Sequence, residues 1–163
     1  MYFKKIFVIL SFFLFFLLIS CSGIISSLKD GYYTAEMAEF DANGWKEYIT
    51  ICVSGGKIIH IEYDASNSAG FIRSWDMEFM SEMNVANGIY PNAYTRFYGS
   101  ELLKNQNYSG IDSISGATNS YNLFLMLAQA ALDNARTGKT GISKVHRFKQ
   151  PEQKVNTSSV DEG

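Results

Sequence analysis

The hydrophobic positions of this chain fall into three regimes. Ile6 to Ile19 is apolar throughout except for Ser11, a run of fourteen residues that is short for an ordinary membrane-spanning helix. From Tyr32 to Asp64, apolar and polar residues alternate in short stretches, the period of a strand with one buried face. From Trp75 to Arg136, apolar residues recur at intervals of three and four, the period of a helix.

The middle regime predicts three strands. Tyr32 to Phe40 is rich in aromatics and threonine, and Asp41-Ala42-Asn43-Gly44 ends it as a turn cluster. Trp45 to Val53 is the second strand, with Ile49, Ile51 and Val53 on one face. Ser54-Gly55-Gly56-Lys57 is a hairpin signal, and Ile58 to Asp64 is the third strand, with Ile59, Ile61 and Tyr63 sharing a face. Together they read as an antiparallel meander.

The last regime predicts three helices. Ser74 is placed to cap a helix from Trp75, with Phe79, Met83 and the adjacent Met80 on its face and Asn87-Gly88 at its end. Pro91 fits the first turn of a second helix with Tyr94, Phe97, Tyr98 and Leu102 on one face, although Gly99 weakens it. Tyr121 to Arg136 is the third. Leu123 to Ala128 is apolar on nearly every side, so this helix is expected to be buried on more than one. Thr137 to Gly163 is polar and reads as a flexible tail. The expected fold class is α+β: an antiparallel sheet flanked by helices.

The leader changes the picture of where this domain works. Lys4 and Lys5 precede the apolar run, and Leu18-Ile19-Ser20-Cys21 closes it with a small residue before a cysteine. This is a secretory signal whose end resembles the lipobox of bacterial lipoproteins. That resemblance implies removal of residues 1–20, diacylglycerol on Cys21, and a domain held at the extracytoplasmic face of a bacterial membrane by a tether over 21–30. The domain itself would span 31–137 and the tail 138–163. Loss of Lys4 and Lys5 takes the formal net charge from −2 to −4, which offers nucleic acid no basic patch. Of the two cysteines only Cys52 would remain, in an alternating strand, so no intramolecular disulfide is expected and Cys52 reads as a packed residue.

The candidate chemistry lies at Asp112-Ser113-Ile114-Ser115-Gly116-Ala117-Thr118, a loop leading into the last helix. Backbone N–H groups converge at a helix entrance and the dipole there is positive, so a phosphate is well placed. A plain helix start is the competing reading, with Asn119 or Ser120 as the cap. His60 sits on a strand and His146 in the tail. Neither belongs to a metal-ligand spacing or a catalytic triad, so no metal and no catalytic residue is assigned.

Around this motif the sequence is similar to the FMN-binding domain of the flavin-carrying subunits of sodium-translocating NADH:quinone reductase and Rnf-type complexes. It resembles still more the small lipoproteins built on such domains. The Gly-Gly-Lys hairpin and the Ser-Gly-Ala-Thr loop carry most of the match; Trp75-Asp76 and Pro91 fit more loosely. The resemblance implies that Thr118 receives FMN through a phosphoester from a Mg-dependent flavin transferase with FAD as donor. This chain would then be a substrate and electron carrier rather than an enzyme, exchanging electrons with an unidentified donor and acceptor.

Gly116 and Ala117 would let the phosphate approach the backbone, and Gly116 could supply an unusual φ. Ser115 would donate to a phosphate oxygen, and Asp112 would serve transferase recognition or orient the threonine hydroxyl. Trp75 is the aromatic expected near the flavin, with a core anchor as its alternative, and Tyr90 and Tyr94 are weaker candidates. Two other functions stay open: a lipoprotein that binds FMN or another small ligand noncovalently, and one whose leader yields a signalling peptide.

Overall fold

The computed structural model describes residues 27–147; the signal and Cys21 lie outside them, as does the chain after Arg147. Strands β1 (Gly31–Met37), β2 (Lys46–Ser54) and β3 (Lys57–Ser66) form the expected meander, with antiparallel pairing of β1 to β2 and of β2 to β3. A fourth strand, β4 (Ser143–Val145), pairs in parallel with β1, so the sheet order is β3-β2-β1-β4 and the sheet is mixed rather than purely antiparallel. The fold class is α+β. β4 falls where the sequence reads as a polar tail, because a three-residue edge strand carries too little alternation to be seen.

Helices α1 (Met77–Asn87), α2 (Pro91–Asn105) and α3 (Thr118–Thr137) follow. Alternation along β2 buries Ile49, Ile51 and Val53 beneath α3, whose Leu123, Phe124, Leu127, Ala128, Ala131 and Leu132 are buried. On α2, Tyr94, Tyr98 and Leu102 are fully buried, whereas Phe97 is turned partly to solvent. Tyr98 stacks on Phe124 with ring centroids 5.2 Å apart, joining α2 to α3.

Two local expectations are corrected. The register shifts between Cys52 and Val53, so Val53 pairs with Ile58 while Cys52 pairs with His60. That bulge buries Ile58 and turns Ile59 outward, so Ile59 does not share the face of Tyr63. Ser74 does not cap a helix: Arg73–Trp75 is a separate 3-10 turn, and Asp76 caps α1 by accepting from Phe79 N at 2.9 Å. The Ser74 amide is already engaged by Asp64 Oδ1 at 3.2 Å, which holds it in the turn.

The two ends of α3 define the two ends of the domain. At its C-terminal end Lys29 N donates to Ala135 O at 2.9 Å, and Asp30 Oδ1 accepts from Gly56 N in the β2–β3 hairpin at 3.1 Å. Residues 27–30 therefore lead into the domain at that end. The motif loop lies at the other end of this 20-residue helix, about 30 Å away at 1.5 Å per residue.

Candidate functional site

The motif loop is fixed by core tyrosines. Ile114 N donates to Tyr98 Oη at 3.1 Å, Tyr121 Oη donates to Ile111 O at 2.7 Å, and Ala117 N donates to Ile114 O at 3.0 Å. Burial pushes the Tyr98 hydroxyl pKa up, so it stays protonated.

Gly116 has φ +82°, and a Cβ there would stand 2.5 Å from Asn87 O and 3.0 Å from Ile89 Cγ2. Only glycine allows that backbone and that approach to the end of α1. Ala117, the N-cap of α3, is buried and supplies no side-chain cap. Asn119 does not take that place, and the Ser120 side chain points inward, with Oγ 3.2 Å from Glu47 Oε1. The helix therefore begins with its first N–H groups lacking a side-chain partner. Thr118 is its first residue and is exposed, as are Asp112, Ser115 and Gly116.

Beside this helix start lies a cleft of about 360 Å³. Phe79, Met83 and Asn87 of α1 form one wall, Gly116 and Ala117 form another, and Arg73 and Tyr94 also line it. Phe79 is held edge-on to buried Trp45, with centroids 5.9 Å apart.

Beneath the cleft is a buried polar network that sequence reading did not anticipate. Arg73 Nη2 lies 2.7 Å from Glu47 Oε1. Tyr63 Oη donates to Glu47 Oε2 at 2.5 Å and lies 2.9 Å from Ser120 O. Burial and the neighbouring Glu47 carboxylate hold the Tyr63 hydroxyl well above its ordinary pKa. Burial alone would pull the Arg73 pKa down, but the Glu47 carboxylate holds it above its ordinary value. The Arg73 guanidinium carbon stands 5.8 Å from the centre of the Tyr94 ring. Four buried polar atoms here have no hydrogen-bond partner among the described residues: Arg73 Nε, Tyr94 Oη, Ser74 Oγ and Asp64 Oδ2.

A signal for the network was present in the sequence. Glu47 occupies the same alternating face as Ile49, Ile51 and Val53, so a carboxylate was destined for the core and required a cation. Trp75, by contrast, is 72% exposed and lies neither in the core nor on the cleft lining. Thr118 is also absent from the lining, although Ala117 and Asn119 on either side of it belong to it. Cys21 lies outside the described residues. Cys52 is half-buried. Among the described residues there is no group of three or more His, Cys, Asp or Glu side chains placed to hold a metal, and no helix long and apolar enough to cross a membrane.

The 15 kDa lipoprotein of Treponema pallidum (strain Nichols) is 35% identical over 123 residues, an alignment that covers 76% of this chain and 86% of that protein. The crystal structure of the CPE2226 protein from Clostridium perfringens superposes with a TM-score of 0.70 at 38% identity, covering 74% of this chain and 98% of that one. No family model matches the chain.

Proposed function

We propose that this lipoprotein, which belongs to the family of the 15 kDa lipoprotein of Treponema pallidum, carries FMN esterified to Thr118 and works as an electron carrier on the extracytoplasmic face of the membrane. The observation that carries the proposal is the start of α3. An exposed threonine occupies the first turn of a helix with no side-chain cap, two residues after a glycine that the backbone requires.

The residues fit an esterified FMN. A transferred phosphate needs a reachable hydroxyl, small neighbours and N–H donors. Thr118, the Gly116-Ala117 pair and the uncapped turn supply these. The flavin ring needs an apolar wall and hydrogen-bond donors, and the adjoining cleft offers Phe79 and Met83 for the first and Arg73 and Tyr94 for the second. In the attachment step, Thr118 Oγ would bond to the FMN phosphorus of FAD. The bond between that phosphorus and the bridging oxygen breaks, AMP leaves, and the threonine proton is lost to solvent or a transferase base. When bound, FMN supplies reversible electron uptake; the chain holds and positions it.

The position of the cleft is consistent with a carrier. It lies at the end of α3 opposite the tether, so a partner in the aqueous phase can reach it while the lipid retains the protein. One observation favours a second reading: Thr118 flanks the cleft without lining it, which a noncovalently held ligand would also allow.

Coexpression with a flavin transferase decides between them. After denaturation the wild-type chain should retain flavin fluorescence and gain the mass of FMN less water. Thr118→Val should lose both and Thr118→Ser should keep them. Flavin that leaves on denaturation supports the noncovalent reading instead.

A further inference from the structure

Tyr94 and Arg73 present an unusual pairing. Tyr94 is fully buried and Arg73 is 4% exposed; Tyr94 Oη and Arg73 Nε make no hydrogen bond of ordinary geometry among the described residues, although the Ser120 hydroxyl stands near Tyr94 Oη, and both side chains line the cleft. A buried hydroxyl or N–H without a partner is costly and is retained where something else completes it. We infer that these two groups are donors reserved for an acceptor oxygen of the cleft's ligand, the carbonyl-bearing edge of a planar heteroaromatic ring. This rests on the cleft being the ligand site proposed above but not on the ester at Thr118.

The charge balance selects a carbonyl rather than an anion. The Arg73 guanidinium is already neutralised by Glu47 at 2.7 Å, so the pair offers hydrogen bonds with little net positive charge. Asp41 and Glu82 also line the cleft, and their carboxylates oppose an entering anion. The ring of Phe79 and the thioether of Met83 suit a flat apolar face. Both atoms are covered in this structure, and α1, which forms a wall of the cleft and contributes no fully buried residue, is the element that would move to admit the ligand.

Tyr94→Phe separates this role from a structural one. It keeps the ring that packs against Arg73 and removes only the unpartnered hydroxyl. If the hydroxyl serves a ligand, the free variant should melt at or above the wild-type temperature, while its ligand affinity falls. The probe is riboflavin, which has the ring but no phosphate, titrated by fluorescence quenching into chain made without a transferase. Saturable binding to wild type, weakened roughly three- to tenfold in Tyr94→Phe, is the expected result. Inorganic phosphate should not displace riboflavin.

Any of four results overturns the inference: no riboflavin binding to wild type, equal binding by both proteins, a lower melting temperature for the variant, or displacement by phosphate. Failure of covalent attachment would appear separately, as wild-type protein without flavin after denaturation.

Discussion

Arg73 Nη2 stands 2.7 Å from Glu47 Oε1 with only 5% and 3% of the two side chains exposed, and this pair ties the 3-10 turn before α1 to strand β2 under the cleft. A buried pair is close to neutral when intact and damaging when halved, since one charge is left without compensation. Glu47→Gln should therefore lower unfolding free energy by about 3–5 kcal/mol. The double variant Glu47→Leu with Arg73→Met should recover most of the loss. Urea titrations of the single and double variants measure both. A loss below 1 kcal/mol in the single variant would show that the pair is not what holds the turn.

Gly116 provides the second prediction, with Gly44 as its control. Both have positive φ, +82° and +79°, so alanine strains the backbone at either by about 1–2 kcal/mol. At Gly44 a Cβ meets nothing within 4 Å, whereas at Gly116 it meets the Asn87 carbonyl oxygen at 2.5 Å. Gly116→Ala should be destabilised by roughly 2 kcal/mol beyond Gly44→Ala, because backbone must move. It should also lose flavin attachment when coexpressed with a transferase, while Gly44→Ala keeps it. Thermal unfolding and in-gel fluorescence of the two variants test the contrast.

These elements also show what could be read before the structure. β2 was legible because Ile49, Ile51 and Val53 alternate without interruption, and the positive φ of Gly116 was legible because few residues besides glycine suit such a turn. The bulge was hidden because Ile58, Ile59 and Ile61 are all apolar, so hydrophobicity could not say which one turns outward. Ser74 and Asp76 are both good caps two residues apart. The tertiary bond from Ser74 N to Asp64 settles which one is used. Arg73 was missed for the same reason. Its partner is on strand β2, twenty-six residues away along the chain.

Glu36 yields the third prediction. Its carboxylate accepts from Lys46 of β2 at 2.8 Å and also from Lys144 of β4, so one side chain on β1 clamps strands on either side. Burial pushes its pKa up, but Lys144 and Lys46 outweigh that and bring it below the ordinary 4.5. The stabilisation is therefore present above that value and lost as pH falls through the lowered one. Glu36→Gln should cost about 0.5–1 kcal/mol at neutral pH, and the difference from wild type should vanish in acid. Hydrogen exchange gives a local readout. Ala38 N donates to Val145 O at 2.8 Å, and its amide should exchange faster in the variant. Equal exchange in the two proteins would mean that Glu36 does not hold β4.

At the alkaline end the group to watch is Tyr48, on β2. Its hydroxyl is pushed from 10.0 up to about 12, first by burial and then by the carboxylates of Asp64 and Glu62, with Arg96 pulling weakly the other way. Between those two values the unfolded chain loses this proton and the folded chain keeps it. The folded state then binds more protons, so stability must fall as pH rises. Tyr63 acts in the same direction, because burial and Glu47 also raise its hydroxyl. Tyr48→Phe should therefore unfold in urea much like wild type below pH 10 and lose less stability as pH approaches 12. A slope should remain, because Tyr63 is untouched. If the variant and wild type lose stability in parallel across that window, the Tyr48 hydroxyl is not coupled to folding.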